Sequence, residues 1–344
     1  MIPHNQPSFG ELEKRAAARV LDSGWVAAGK EVAAFEQELA DFVGTTPDCV
    51  LATSSGSAAL LLAFLTRKAE VPRVIAPTYG CSAIADAASL AGLRCEFVDS
   101  SDQSPHGDWS TVPSGSRATS SISVAVDLFG SPGPIPDPDD SLVIADAAQS
   151  FGATYDGTPT CLRGNLGIAS FSPTKIMTVG GYGGALFSAS PDWISEARDF
   201  RDWDARRDGN RRFHLTLGDI GAAIGRAQLS RLPDLIERRL AIISKYRRSG
   251  IRLLEVSPSD SPSGYRAIAV DRDANRRVSS LRARGVGSII PYEIGEMHGR
   301  GIEDSPFARQ WAKQLVSLPV FPDMSGEQVE SVISAWHATA EPLV

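Results

Sequence analysis

Three short segments of this 344-residue chain carry side chains that can act together. Lys175 stands in SFSPTKIMTVGGYGG (170–184), just before a turn carrying four glycines. Of the six lysines it alone is flanked by apolar and hydroxyl residues, a setting in which an amine serves as a nucleophile. Asp146 closes the apolar run LVIAD, and carboxyl ends of strands line the ligand crevice of open α/β sheets. TSSGSAAL (53–60) turns from a strand into a helix start, whose free N–H groups suit a phosphate. Singly, each has a plain structural reading: a serine N-cap, a carboxylate capping the next turn, a lysine in a β-hairpin. Together they supply a phosphate anchor, an anion for a pyridinium nitrogen and a Schiff-base amine, the three groups that pyridoxal 5′-phosphate requires.

Strand ends must hold these groups. Apolar runs at 50–53, 73–76, 95–98, 122–126 and 142–145 alternate with helical segments at 57–66 and 80–91. That alternation predicts an α/β fold with a mostly parallel central sheet covered by helices. Two further strands (166–171 and 183–187) flank the glycine turn, and 11–21 and 31–43 read as two leading helices. Long helices are expected at 191–203, 217–231 and 233–249. FGSPGPIPDPDDS (129–141) is too proline-rich for a helix and reads as a loop. After a Ser/Pro cluster at 256–263 come a strand (265–270), a helix (275–284) and an amphipathic helix near 325–338. The expected division is a large domain at 1–248, with an N-terminal helical segment, and a smaller α/β domain at 249–344.

Composition narrows the class. Lys+Arg 34 against Asp+Glu 41 gives a net charge of −7, which argues against a nucleic-acid surface. With 42% hydrophobic and 22% charged residues, the chain is neither disordered nor a coiled coil. Its longest uncharged stretch, 49–66, is too rich in serine and threonine for a membrane span. Residues 1–30 lack the basic start and apolar region of a signal peptide. Cys49, Cys81, Cys95 and Cys161 show no C-x-x-C pair and no metal-ligand spacing, so they are expected to be reduced, buried thiols. A cytoplasmic protein with no metal, membrane or nucleic-acid partner is the expectation.

The order of these motifs resembles the DegT/DnrJ/StrS-type sugar aminotransferases, which have the type I fold of pyridoxal-phosphate enzymes. The resemblance is carried by DSGWVAAGKEVAAFEQELADFVG (22–44), SSGSAAL (54–60), FVD (97–99), ADAAQSFGA (145–153), SFSPTKIMTVGGYGGAL (170–186) and IGAAIGRAQLSRLPDLIERR (220–239). LPVFPDMSGEQVESVI (318–333) resembles the closing strand and helix of the family. The resemblance implies that Lys175 carries the cofactor as a Schiff base and relays the proton. It implies that Asp146 pairs with the pyridinium nitrogen and that Gln149 bonds the ring hydroxyl. Ser170 would contact the phosphate together with the helix start at Gly56, Ser57 and Ala58. It also implies a homodimer whose active sites share a phosphate contact. Two positions depart from the pattern. Cys81 stands where an aromatic ring usually stacks on the cofactor, with Tyr79 as a replacement. His214 stands in the partner-chain phosphate segment, where it is either a phosphate donor or an ordinary loop histidine. Trp25, Tyr182 and His298 are candidate substrate residues, the alternative being core for the first two and core or surface for His298. Most arginines of 201–212 read as a solvated charge run, with a donor carboxylate or nucleotide phosphates as the other reading.

The expected activity is therefore transfer of an amino group from an amino acid, L-glutamate by resemblance, to a nucleotide-linked keto-sugar in two half-reactions. A keto-cyclitol acceptor is the runner-up. A lyase is disfavoured by Lys175, and a non-catalytic sensor by the intact Asp146–Gln149–Ser170–Lys175 set.

Overall fold

The computed structural model describes residues 1–68, 71–112, 121–136, 141–203, 208–255, 261–297 and 301–339. Helices α1 (Glu11–Ser23) and α2 (Lys30–Val43) precede β1 (Val50–Thr53) and α3 (Gly56–Arg67). Next come β2 (Arg73–Pro77), α4 (Ala83–Ala91), β3 (Arg94–Val98), β4 (Ser121–Val126) and β5 (Leu142–Asp146). A short hairpin of β6 (Thr154–Tyr155) and β7 (Thr158–Pro159) leads to β8 (Leu166–Ser170) and β9 (Gly184–Ser188). Helices α5 (Pro191–Arg201) and α6 (Asp219–Arg248) follow. The last part holds β10 (Ala267–Val270), α7 (Ala274–Ala283), α8 (Pro306–Gln314), β11 (Leu315–Leu318) and α9 (Gly326–Ala338).

Seven strands form one sheet in the order β1-β9-β8-β5-β4-β2-β3. Only β9 runs against its neighbours; the others share one direction, as their uninterrupted apolar runs predict. β4 is buried at every position because helices cover both faces. α3 is buried from Ala58 to Arg67 and so is apolar all round rather than along one stripe.

The sequence led to two helices across 217–249, but the chain forms one. α6 runs 30 residues with Pro233 inside it. A proline removes one helix hydrogen bond, yet Leu229, Leu232 and Leu235 are all buried and keep the apolar face continuous through that point. Tertiary packing overrides the local break.

A second core gathers β10, β11, α7 and α9 around Ala269, Leu281, Val316 and Val332. The division drawn at 248/249 falls at the end of α6, whose Ile242, Ile243 and Tyr246 are part of this second core. Ile2 packs there too, and its N–H bonds Gly285 O at 2.7 Å. α8 was not foreseen. The closing strand lies at Leu315–Leu318, just ahead of the segment expected from 318 on. The thiols also differ from expectation: Cys49 and Cys161 are buried, Cys95 is half-buried, and Cys81 is exposed because it follows the end of β2 at the sheet edge.

Among the described residues, no helix is long and apolar enough to cross a membrane, and no cluster of His, Cys, Asp and Glu could hold a metal ion.

Candidate active site

β1, β5 and β8 run parallel, so their carboxyl ends reach one edge of the sheet. Thr53 and Ser170 both pair with Gly184, which sets the turn from β1 into α3 against the end of β8. Two glycines measure how close that approach is. A Cβ on Gly56 would lie 2.9 Å from Ser170 Cβ, and one on Gly184 would lie 2.5 Å from Gly56 N. Bare backbone is required at both positions. The Ser170 side chain is thereby held beside the first turn of α3, where helix N–H groups make a cradle for an anion. Ser55 caps the helix by accepting Ala58 N–H at 3.0 Å, so that donor is already taken, and Gly56 and Ser57 supply the remaining early donors. Ser57 itself is exposed.

Asp146 ends β5 as the sequence implied. It is buried, accepts Ala148 N–H at 3.0 Å and forms no ion pair among the described residues. Burial raises its pKa above the usual carboxylate range, opposed by the Ala148 N–H and by the charge of Lys175. Lys175, half-buried, follows β8, with its Nζ 5.4 Å from the centre of the Tyr265 ring. Gln149 is held at both ends: its Oε1 accepts Phe129 N–H at 3.0 Å, and its Nε2 donates to the Tyr292 hydroxyl. Asp146, Gln149, Ser170 and Lys175 thus converge on the sheet edge with the cradle.

Beside them stands a wall of which the sequence revealed only Tyr79. Tyr79 is fully buried, with its ring edge-on to Phe129 (6.4 Å) and to Tyr292 (5.2 Å). The Tyr79 hydroxyl is shut from solvent without a hydrogen-bond partner among the described residues. Arg266 Nη2 reaches the Tyr265 hydroxyl at 3.4 Å, and its backbone N–H bonds Phe129 O at 3.2 Å. Burial pushes the Tyr265 phenol up, but Lys175, Arg266 and Arg239 outweigh it and bring the pKa down to about 8. Phe129 adopts φ 62°, a left-handed conformation costly for a bulky residue, and opens the proline-rich stretch. A Cβ on the next residue, Gly130, would lie 2.7 Å from Tyr265 N. The described start of that loop therefore ties Gln149 to the Tyr265–Arg266 segment. A charged residue at the mouth of an apolar strand, in YRAIAV (265–270), was the one available signal for Arg266.

The remaining described candidates are exposed. Cys81 is exposed. Tyr182 is 76% exposed in the glycine turn, and Trp25 is 60% exposed, so neither is core. Trp25, Trp203 and His214 line a surface pocket of about 560 Å³ whose lining does not include Lys175. His214 is exposed, and its ring lies 6.4 Å from that of Trp203. The charge run also needs correcting: Arg201 is buried against Glu36 at 3.1 Å, and Arg212 pairs with Asp199 at 2.9 Å. Residues 204–207 and His298 lie outside the described residues.

Comparison with known proteins shows the family. The sequence profile of the DegT/DnrJ/EryC1/StrS aminotransferase family matches residues 7–337, and the chain belongs to that family. It is an aminotransferase. A dTDP-4-dehydro-2,3,6-trideoxy-D-glucose 4-aminotransferase from Saccharopolyspora spinosa is 27% identical, over 99% of this chain and 97% of the relative. A dTDP-3-amino-3,4,6-trideoxy-alpha-D-glucose transaminase from Streptomyces venezuelae is 28% identical, over 95% and 91%. The crystal structure of the aminotransferase TlmJ from Streptoalloteichus hindustanus has the same fold, with a TM-score of 0.88 at 24% identity over 98% of each chain.

Proposed function

We propose that this chain moves the amino group of an amino acid, L-glutamate, onto a keto-sugar carried by a nucleotide, with pyridoxal 5′-phosphate held at the sheet edge. The observation that carries the reading is the convergence of Asp146, Ser170 and Lys175 on the ends of β5 and β8, against a cradle that admits only glycine at 56 and 184. The residues present fit the group. Asp146 is a buried carboxylate without an ion-pair partner among the described residues, which suits a cationic ring nitrogen. The donors of Gly56 and Ser57, with the Ser170 hydroxyl, suit its phosphate. The two dTDP-sugar enzymes among the relatives support a nucleotide-linked acceptor.

When bound, the cofactor supplies the electron sink that makes the proton on the substrate carbon removable. Lys175 Nζ would hold the cofactor and move that proton, and the face of Tyr265, 5.4 Å from Nζ, would orient the amine. Asp146 opposes the ring nitrogen, and its burial strengthens the pairing. Gln149, fixed between Phe129 and Tyr292, presents its amide to the ring hydroxyl. The reading includes a cytoplasmic homodimer and the division at 1–248 and 249–344. The exposed Trp25 and Trp203 support a contact with a second copy, since large exposed aromatics mark association surfaces.

The test is the near-ultraviolet and visible spectrum of the purified protein before and after L-glutamate. A yellow band that bleaches on adding glutamate, followed by nitrogen transfer to one member of a keto-sugar panel, is expected. Absence of any band after incubation with pyridoxal phosphate would sink the reading.

A further inference from the structure

The first eight residues, MIPHNQPS, carry prolines at 3 and 7. Proline bars a helix and biases the residue before it toward extended backbone, so this segment must find its hydrogen-bond partners elsewhere in the fold. It finds them around both cores. Ile2 runs parallel to Val286 of the second core: its N–H bonds Gly285 O at 2.7 Å, and its O accepts Gly287 N–H at 2.9 Å. A Cβ on Gly287 would lie 2.7 Å from Ile2 O, so this seat needs bare backbone. His4 meets Ser317 Oγ of β11 at 2.9 Å, and its O accepts Val320 N–H at 3.3 Å. At the other end Ser8 is buried against α6, where its O accepts a hydrogen bond from Gln228 Nε2 at 2.7 Å.

This strap touches the lysine segment on both sides of Lys175. Residues 171–183 belong to neither strand nor helix, so the place of Lys175 depends on contacts from outside the segment. Asn5, half-buried in the middle of the strap, donates through Nδ2 to Thr174 O at 2.7 Å. Gln228, the residue that holds Ser8, accepts Thr178 N–H at 3.4 Å. Thr174 O belongs to the peptide leading into Lys175, and the N–H of that peptide bonds Ser172 O at 2.9 Å. Both polar atoms of one planar unit are therefore held, which sets the direction in which the Lys175 side chain leaves the backbone. Asn5 Oδ1 faces the other way, accepting Gln6 N–H at 2.9 Å and Arg239 Nη2 at 3.4 Å.

We propose that Asn5 is a positioning residue for Lys175, and that the N-terminal strap relays the seating of the second core to that lysine. A long side chain magnifies any tilt of its own peptide, and small misplacements of a reacting group are costly in rate. The role at Lys175 rests on the aminotransfer reading above, whereas the strap itself is a matter of geometry.

Two substitutions separate positioning from mere support. Asn5→Ala removes every bond of the side chain. Asn5→Asp keeps its size and its oxygen toward Gln6 and Arg239, but sets an acceptor against Thr174 O. Mixing the cofactor-free full chain with pyridoxal phosphate, before any substrate, reads Lys175 directly as the rate at which the yellow band forms. Both variants should form it about 10-fold more slowly than the parent, the upper end of the net worth of a neutral hydrogen bond. With L-glutamate kcat should fall by the same factor while KM stays, because Asn5 does not touch the substrate. The aspartate variant should melt no lower than the parent, and it carries the comparison if the alanine variant does not fold. Gly287→Ala, which presses on the strap at Ile2, should slow the band about 3-fold, half the free energy of the lost bond.

A slow alanine variant whose rate and melting temperature are both restored by aspartate overturns the positioning role, because support alone then explains it. A parent that forms the band, with variants no slower, overturns the role and leaves the aminotransfer reading intact. A parent that forms no band overturns that reading and the role together. An unchanged rate in Gly287→Ala beside a slow Asn5→Asp overturns the relay from the second core.

Discussion

The strand-end floor and the tyrosine wall meet at Gln149, and they are built on opposite plans. On the floor, Gly56, Asp146, Ser170 and Gly184 are set by strand register, and the decisive quantity is clearance: 2.9 Å at one glycine and 2.5 Å at the other. In the wall, Tyr79, Phe129, Tyr265, Arg266 and Tyr292 come from separate stretches of chain and are set by ring packing and charge. The floor is tuned by shape and the wall by electrostatics. A cofactor that is the same in every turnover suits the first plan. Substrates that change between half-reactions suit the second.

The contrast can be broken at four points, taken here from the largest expected effect to the smallest. Lys175→Ala should lower the single-turnover rate with glutamate by about 10⁴-fold, the upper range for a positioned acid–base group. Residual activity near the parent level would remove Lys175 from the chemistry. Asp146→Asn should lower the same rate by about 100-fold, or about 2.7 kcal/mol, the scale of a hydrogen bond to a buried charge. Its effect on stability has the other sign. Burial raises the folded-state pKa of Asp146, so its ionised form disfavours folding at every pH above the ordinary carboxylate range. Freed of cofactor, the asparagine variant should therefore melt at an unchanged or higher temperature than the equally cofactor-free parent at pH 7; a clear drop would show that the carboxylate is structural. Gly184→Ala should cost about 1–3 kcal/mol, the price of overpacking, read as a lower urea midpoint. Tyr265 tests the wall with the smallest effect. Its folded pKa of about 8 lies below the ordinary value near 10, so its ionisation adds stability that is complete above pH 10 and lost as pH falls through 8. Compared with Tyr265→Phe, the parent should gain stability from pH 8 to 10, and a phenolate absorbance step near pH 8 should vanish in the variant.

The same contrast explains what the sequence made legible. The floor could be read because clearance leaves a local mark: glycines at 56 and 184, a carboxylate ending LVIAD, and a lysine before the turn. The strands were legible for a related reason, since burial on both faces writes unbroken apolar runs. The wall leaves no such mark. Phe129 and Tyr265 meet only because the loop after β4 folds back onto β10, and nothing in either segment announces the other. Trp25 and Tyr182 could not be told from core aromatics by alignment of neighbouring motifs, which fixes a position along the chain and not the direction of a ring; both are exposed. Pro233 misled for the opposite reason: its local cost is real, but α6 is held by long-range packing.

That helix has a mechanical consequence. At 1.5 Å per residue, the 30 residues of α6 make a shaft about 45 Å long. Its middle lies in the main core, with Leu229 and Leu232, and its far end in the second, with Ile242 and Tyr246. Neither core can lose its packing without loosening a rod that the other needs. Heat should therefore meet a single cooperative unit, and a calorimetric scan should show one peak.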